Sequence, residues 1–180
     1  MENTRGIAVF GGGCFWCTEA IYQKLRGVLS VVSGYAGGHL DNPTYYQVAS
    51  QTSGHAEVVK VEYDPQKISY RDLLEVFFAT HDPTTLNQQG YDEGPEYRSI
   101  ILYTTDTQKQ EASQIIRELT EEKVYSNPIV TTVEPLEKFF EAEEEHKNFY
   151  RNNPNSPYCQ VVINPKIKKF KEKFSSLIEE

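Results

Sequence analysis

Apolar and polar residues alternate with a period of two along residues 55–63, which is the clearest strand pattern in the chain. Val59 and Val61 share one parity with Glu57, whereas Lys60 falls on the other, so a strand here has one apolar and one wetter face. A carboxyl on an apolar face is costly to ionise and tends to keep its proton. Glu57 is therefore either a proton donor with a raised pKa or a carboxylate that reaches water at the strand end.

Similar patterns divide the rest of the chain into short strands and helices. Apolar runs predict strands, and helical spacing with capping residues predicts helices. The predicted strands are residues 6–10, 28–33, 55–63, 98–103, 129–133 and 158–163, and the predicted helices are residues 18–24, 69 to about 81, 107–123, 137–150 and 165–178, with a short helical segment after Thr44. The uneven alternation predicts one α+β domain over residues 1–180, with a mixed sheet covered by helices and a split-βαβ arrangement as one option.

The composition is that of a soluble globular protein, with 38% hydrophobic and 24% charged residues. The formal net charge of −8 and the lack of a large basic patch argue against nucleic acid as a partner. No apolar run is long enough to cross a bilayer, and residues 1–5 lack a signal-peptide pattern, so we expect a cytoplasmic protein without membrane contact. Three cysteines, an odd number, argue against a secreted disulfide framework and favour reactive thiols.

The segment with the most chemical content is residues 11–17, three glycines followed by Cys14, Phe15, Trp16 and Cys17. It lies between a predicted strand and a predicted helix, so Cys14 is expected at or near a helix N-terminus. Unpaired N–H groups and the helix dipole favour an anion there, which predicts a nucleophilic thiolate with a low pKa. The two aromatic side chains beside the sulfur indicate a small apolar cup at the reacting atom.

Other interpretations fit parts of this segment. Cys14 and Cys17 form a CxxC pair, but the chain lacks a second pair or a Cys/His cluster with the spacing of a zinc site. The glycines lack the patterns of phosphate-binding loops. A buried, inert pair of cysteines remains open, since free cysteine is often a core residue. Redox chemistry at Cys14 is the leading interpretation.

Further motifs follow along nearly the whole chain. They are Ser33-Gly34-Tyr35-Ala36-Gly37-Gly38, Asn42-Pro43-Thr44-Tyr45, Gly54-His55-Ala56-Glu57-Val58-Val59, Tyr63-Asp64-Pro65, His81-Asp82-Pro83-Thr84, Gln89-Gly90-Tyr91-Asp92, Gly94, Tyr97-Arg98-Ser99, Ala142-Glu143-Glu144-Glu145-His146 and Pro157-Tyr158-Cys159. With Gly12-Gly13-Cys14-Phe15-Trp16, this series resembles the type A peptide methionine sulfoxide reductases, in the order of that family.

The resemblance implies a role for each matching residue around the sulfoxide. Cys14 would attack the sulfoxide sulfur, and Phe15 and Trp16 would hold the methyl group of methionine. Glu57 would protonate the sulfoxide oxygen, which agrees with the proton-donor alternative that its strand position leaves open.

Three further polar residues complete the implied site. Tyr45 and Tyr97 would donate hydrogen bonds to the oxygen, and Asp92 would order the site through a water or hydroxyl network. The resemblance also implies a ferredoxin-like α+β fold, action on the S epimer in free or protein-bound form, and no metal or organic cofactor. The expected partners are oxidised proteins, free methionine sulfoxide and thioredoxin, which supplies the reducing equivalents. We also expect a monomer.

The cysteines depart from a common family pattern. Many members carry glycine where this chain has Cys17, and they use cysteines in a glycine-rich C-terminal tail that this chain lacks. Cys17 is the favoured resolving thiol because it is only three residues from Cys14. Three alternatives stay open for Cys159. It is the resolving thiol itself, the last member of a relay from Cys14 through Cys17, or a packed thiol without a redox role.

Two other classes of function compete with this interpretation. A different thiol–disulfide oxidoreductase explains the CxxC pair but gives no task to Tyr45, Glu57, Asp92 or Tyr97. A non-enzymatic module that binds methionine-rich or oxidised peptides explains the aromatic residues but leaves Cys14 idle.

Overall fold

The computed structural model describes residues 4–179, and residues 1–3 and 180 of the expected domain lie outside this part. The strands are β1 (Gly6–Gly11), β2 (Val28–Ala36), β3 (Ala56–Tyr63), β4 (Gln88–Gln89), β5 (Asp92–Glu93), β6 (Ile100–Tyr103), β7 (Thr132–Pro135) and β8 (Phe139–Glu141). The helices are α1 (Phe15–Tyr22), α2 (Tyr45–Ala49), α3 (Tyr70–Ala79), α4 (Asp106–Glu121), α5 (Phe149–Asn152) and α6 (Asn164–Lys173). Short 3-10 turns lie at Pro95–Tyr97, Glu144–His146 and Ser175–Leu177.

Six strands form one sheet in the order β7-β6-β1-β3-β2-β8. All neighbours in this sheet are antiparallel except β6 and β7, which are parallel. Strands β4 and β5 form a separate two-stranded hairpin within the polar loop at residues 84–95. The predicted α+β class and mixed sheet are confirmed.

The main core lies between the sheet and the helices. Phe10 of β1 stacks on Tyr22 of α1 and on Phe77 of α3, with ring centroids 5.5 and 5.1 Å apart. Val9 and Val58 point to the other face of the sheet from their neighbours Phe10 and Val59, and they belong to a second, smaller apolar cluster. The period of two therefore sorts the side chains of the central strands between two cores.

Polar capping residues determine where two of the helices begin. The Ser69 side chain accepts from the Asp72 N–H, and Asp72 accepts from the Ser69 N–H, which forms the predicted capping box of α3. Thr44 and Gln47 form the same box before α2 and fix the helix that carries Tyr45. Helix α4, in contrast, is capped by Thr105 and not by Thr107.

The prediction of a helix over residues 137–150 is wrong. This stretch contains β8, a 3-10 turn and the first two residues of α5. Strand β8 pairs with the edge of β2, and Gly34 makes this approach possible because a Cβ there would lie 2.4 Å from the Phe140 carbonyl oxygen. Sheet pairing overrides the helical propensity of the acidic residues.

Other element boundaries also need correction. The predicted strand over residues 158–163 is a π-helical turn, Cys159–Ile163, that continues into α6. Helix α1 begins at Phe15, three residues before the predicted start, and β7 lies at Thr132–Pro135 instead of residues 129–133. Among the described helices, none has the length and apolar character needed to cross a membrane.

Candidate active site

The glycine-rich segment after β1 places Cys14 immediately before α1. Cys14 is the N-cap residue of this helix, and its carbonyl accepts from the Cys17 N–H at 3.2 Å. Gly13 has φ +100° and packs so tightly against Gln89 that an added Cβ would lie 2.7 Å from the Gln89 Cγ. The expected position of the cysteine at a helix N-terminus is confirmed, and glycine is what permits the turn.

Glu57 lies close to this helix terminus on β3. Its side chain is 2% exposed, and its Oε1 accepts a hydrogen bond from the Phe15 N–H at 3.2 Å. Burial raises the pKa of Glu57 to about 8, against the smaller opposing effect of that hydrogen bond. Glu57 is therefore a neutral acid at pH 7, which is the first of the two alternatives that the strand pattern left open, and not a solvated carboxylate.

The expectation of a low pKa for Cys14 is wrong for the unliganded site. Cys14 is 9% exposed, and burial, followed by the negative charge of an ionised Glu57, raises the pKa of its thiol well above the usual value. The Trp16 N–H and the Tyr158 hydroxyl act in the opposite direction but are weaker. Burial thus outweighs the helix terminus, and Cys14 rests as a thiol.

Two tyrosines border the same pair of groups. Burial, followed by the charges of Glu57 and Cys14, raises the pKa of Tyr45 to about 12. Burial and then Glu57 also raise the pKa of Tyr97, which lies on the 3-10 turn after β5. Both phenols are protonated at neutral pH, so both can donate hydrogen bonds.

Tyr158 connects the remaining polar residues of the site. Its hydroxyl donates to Asp92 Oδ2 at 3.0 Å and lies 3.7 Å from Cys17 Sγ. Because the phenol proton points at Asp92, the Cys17 thiol is the donor in the second contact. Sequence reasoning gave Tyr158 no role, although its place beside Cys159 in the Pro157-Tyr158-Cys159 motif was a usable signal.

The three cysteines are buried and unbonded to one another. Cys17 follows Cys14 on the first turn of α1, and Cys159 begins the π-helical turn one residue after Tyr158. Burial raises the pKa of Cys17. A negative charge on nearby Cys159 would raise the pKa of Cys17 further. The fold therefore gathers both proposed resolving thiols on the side of α1 that faces Tyr158.

An aromatic wall, which we define as Trp16, His146 and Phe149, is built on Trp16 in the first turn of α1, two residues after Cys14. The Trp16 indole N–H donates to His146 Nδ1 at 3.2 Å, and its ring stacks on Phe149 with centroids 3.6 Å apart and planes 5° apart. The rings of Tyr45 and Phe15 lie 4.5 and 5.5 Å from the His146 ring. Phe15 and Trp16 are thus part of one apolar surface, and His146, which received no role from the sequence, holds it together.

One group of side chains in the described part of the chain has metal-ligand character. Candidate ligand atoms of Glu143, Glu145 and His146 lie within 4.8 Å of one another. Glu143 already accepts from the Tyr35 hydroxyl and the Tyr45 N–H, and the Trp16 indole occupies His146 Nδ1. Because His146 Nδ1 accepts from the indole and Glu143 is engaged by Tyr35 and Tyr45, these side chains are already used within the protein.

Comparison with known proteins identifies the family. A family model described as peptide methionine sulfoxide reductase matches residues 6–178. The chain is 51% identical over 173 residues to peptide methionine sulfoxide reductase MsrA of Saccharolobus solfataricus, covering 96% of this chain and 97% of that protein. It is 52% identical over 172 residues to MsrA of Chromobacterium violaceum, covering 96% and 98%.

Solved structures agree with this result. Methionine sulfoxide reductase A of Corynebacterium diphtheriae superposes with a TM-score of 0.82 at 30% identity, covering 86% of this chain and 78% of that one. Reduced Mxr1 of Saccharomyces cerevisiae superposes with a TM-score of 0.80 at 34% identity, covering 86% and 89%. The chain belongs to the peptide methionine sulfoxide reductase family.

Proposed function

We propose that this protein reduces the S epimer of methionine sulfoxide, free or within proteins, with Cys14 as the nucleophile and Glu57 as the acid. The observation that carries the proposal is the Phe15 N–H hydrogen bond to Glu57 Oε1 at 3.2 Å, which holds a neutral carboxyl beside the helix terminus that bears Cys14. A sulfoxide oxygen leaves only after it is protonated, and a carboxyl with a pKa of about 8 still carries that proton at pH 7.

The first step transfers oxygen from the substrate to the enzyme. Glu57 gives its proton to the sulfoxide oxygen while the Cys14 sulfur attacks the sulfoxide sulfur, and the thiol proton returns to the Glu57 carboxylate. The hydroxyl then passes from the substrate sulfur to the Cys14 sulfur as the new sulfur–sulfur bond breaks, which releases methionine and leaves Cys14 as a sulfenic acid. Tyr45 and Tyr97 donate to the oxygen as charge develops, and Phe15 and Trp16 contact the methyl group.

The second step restores the thiol through a disulfide. A neighbouring thiol, Cys17 in the favoured scheme, condenses with the sulfenic acid and releases water. Cys159 attacks either directly or by exchange in a relay. A dithiol of thioredoxin then reduces the disulfide by thiol exchange, and a thioredoxin complex is described for Mxr1 of Saccharomyces cerevisiae with Trx2.

A racemic methionine sulfoxide peptide tests the reaction and the choice of epimer. With dithiothreitol as reductant, we expect loss of the S epimer alone, abolished by Cys14→Ser and retained by Tyr125→Phe, a matched variant outside the site. Turnover of both epimers, or of neither, contradicts the proposal. Disulfide exchange without sulfoxide reduction favours the other oxidoreductase class.

Separate variants test recycling. Cys17→Ser is expected to release one equivalent of methionine but to lose thioredoxin-coupled turnover, whereas Cys159→Ser distinguishes direct resolution from a relay. Normal coupled turnover of Cys17→Ser transfers the resolving role to Cys159. Intact-mass measurement after one turnover, with alkylation of free thiols, identifies the pair that forms.

The topology and composition support further parts of the proposal. The order β6-β1-β3-β2, with α1 between β1 and β2, is compatible with a ferredoxin-like core extended by β7 and β8. We also infer a cytoplasmic monomer that needs no metal or organic cofactor and binds neither nucleic acid nor membrane. The net charge of −8 supports the absence of nucleic-acid binding.

A further inference from the structure

Glu143 joins two parts of the site through both oxygens of its carboxyl. Oε1 accepts from the Tyr35 hydroxyl of β2 at 3.0 Å. Oε2 accepts from the N–H of Tyr45, the first residue of α2, at 2.9 Å. Tyr45 is one of the two phenols of the site, and it lies 98 residues away from Glu143 in the chain. The proposed reaction gives Glu143 no part.

Tyr35 holds this carboxyl in a fixed relation to the acid Glu57. Tyr35 is fully buried, and it lies directly opposite Glu57 in the antiparallel pairing of β2 and β3. Residues that face each other in this way place their side chains on the same face of the sheet, with Cβ atoms about 5 Å apart. The Tyr35 ring also packs against Phe15, with ring centroids 5.7 Å apart. The hydroxyl that binds Glu143 therefore belongs to a well-packed part of the sheet next to the acid.

Glu143 is ionised, in contrast to Glu57. Burial raises the pKa of Glu143, but hydrogen bonds, among them those from the Tyr45 N–H and the Tyr35 hydroxyl, outweigh burial and leave this pKa below its usual value. An ionised carboxyl only accepts, so each oxygen suits the donor that faces it. Hydrogen bonds to a charged acceptor are also stronger than those between neutral groups.

We propose that Glu143 is a positioning residue, which fixes Tyr45 relative to Glu57 so that the Tyr45 hydroxyl meets the oxygen that Glu57 protonates. This inference deepens the proposed function and rests on it for the role of the Tyr45 hydroxyl. Glu143 touches no reacting atom in this scheme, and it acts through Tyr45.

Helix α2 needs such an anchor because little of it is buried. It has five residues, of which Val48 alone is buried. The capping box of Thr44 and Gln47 lies within this segment, so it shapes the helix without attaching it to the sheet. Glu143 supplies an attachment from a position that is itself held, because it follows β8, which pairs with β2.

Single-turnover rates of methionine release test the proposal. Glu143→Ala should slow this step about tenfold at saturating methionine sulfoxide peptide, since a misplaced donor stabilises the developing charge less well. The peptide concentration that gives half of the maximal rate should change by less than about twofold, because the oxygen gains its charge only in the transition state. Glu143→Gln should restore the rate to within about threefold, because its amide oxygen accepts from the Tyr45 N–H and its amide nitrogen donates to the Tyr35 oxygen.

A double-mutant cycle separates positioning from general damage to the fold. In a Tyr45→Phe background, which lacks the hydroxyl, Glu143→Ala should slow the step by less than about twofold. Loss of about tenfold in both backgrounds overturns the proposal, because Glu143 would then not act through Tyr45. Glu144→Ala is the matched control, since it removes the carboxyl of the next residue, which is exposed and pairs with Lys147, and its rate should be native.

Hydrogen exchange adds a measurement that needs no turnover. The Tyr45 N–H should exchange about tenfold faster in Glu143→Ala, because it loses its acceptor. The Asp72 N–H, which the Ser69 side chain holds in the same way at the start of α3, should keep its native exchange rate. Native exchange of the Tyr45 N–H in Glu143→Ala overturns the proposal.

Two provisions keep the test decisive. If Glu143→Ala does not fold, Glu143→Leu fills a similar volume without an acceptor, and the same rates and the same exchange are expected of it. If the wild-type protein reduces no sulfoxide, the proposed function fails, whereas the exchange comparison still decides whether Glu143 holds Tyr45.

Discussion

The hydroxyl of Tyr158 donates to Asp92 Oδ2 at 3.0 Å, which joins the segment before α6 to the β4–β5 hairpin. The hydroxyl oxygen of Tyr158 also lies 3.7 Å from Cys17 Sγ. Cys17, Tyr158 and Asp92 therefore form a continuous path along which a thiol proton can reach a carboxylate. A thiol that attacks a sulfenic acid must lose its proton, so this path bears on the recycling step.

Tyr158→Phe should slow disulfide formation more than methionine release. Without the hydroxyl, Cys17 loses its nearest acceptor, and a hydrogen bond between neutral groups is worth about 1 kcal/mol, or roughly fivefold in rate. Quenched single-turnover samples, assayed for methionine and for remaining thiols, separate the two steps.

Tyr125→Phe is the control for this change. The Tyr125 hydroxyl donates to the Phe78 carbonyl at 2.7 Å and has no contact with the cysteines in the described structure, so both rates should stay native. Equal slowing of both steps by Tyr158→Phe, or none, is inconsistent with the proposed path.

Glu57 should give the first step a pH limit. Because the pKa of Glu57 is about 8 and its protonated form is the donor, the rate of methionine release should fall about tenfold per pH unit above that value. Glu57→Gln should slow the step well over tenfold and remove this limb. Rapid-quench rates between pH 6 and about 9.5 provide the comparison. A native rate in Glu57→Gln removes Glu57 from the acid role.

The same carboxyl should reduce stability at high pH. The folded protein keeps the Glu57 proton up to a pKa of about 8, whereas the unfolded chain loses it near 4.5. Stability from this group is complete below pH 4.5 and is lost as the pH rises to about 8. Glu57→Gln should therefore match the wild type near pH 4.5 and exceed it above pH 8 by on the order of 4 kcal/mol. Urea unfolding of both proteins at both pH values measures this difference. The same difference in unfolding free energy at the two pH values would contradict the prediction.

Gly13→Ala should cost about 3 kcal/mol of unfolding free energy, the sum of backbone strain and overpacking. Gly13 has φ +100°, and an added Cβ would lie 2.7 Å from Gln89 Cγ. The Gln89 amide cannot move away easily, because it bonds the Asp82 N–H and carbonyl at 2.9 Å each.

Gly90→Ala provides the matched comparison for the loss at Gly13. Gly90 also has positive φ, +59°, but an added Cβ would meet nothing within 4 Å. Its substitution should cost only the backbone strain, about 1 kcal/mol. Equal losses in the two variants, measured by urea unfolding, would show that contact with Gln89 contributes nothing.

Local patterns were sufficient where the side chains that decide a structure lie close in sequence. The capping box of Ser69 and Asp72 and the parity that buries Glu57 are both set within a few residues, and both predictions are confirmed. The position of Cys14 before a helix followed from the glycines and the flanking strand, and it is also confirmed.

Predictions failed where distant parts of the chain decide the outcome. Residues 137–150 have helical composition, but the open edge of β2 and the missing side chain of Gly34 favour pairing with β8. The pKa of Cys14 depends on burial and on Glu57, which lies 43 residues away, so the helix terminus alone gave the wrong direction. His146 and Tyr158 gained roles only through contacts with α1.

The shielding of all three sulfurs has a consequence for survival under oxidant stress. A protonated thiol reacts sluggishly with peroxide and with alkylating reagents, because the thiolate is the reactive species. In the proposed reaction, only a bound sulfoxide would take the proton of Glu57 and leave a base that ionises Cys14, so the substrate would activate its own nucleophile. We therefore expect the resting protein to stay intact in the presence of the oxidants that create its damaged targets.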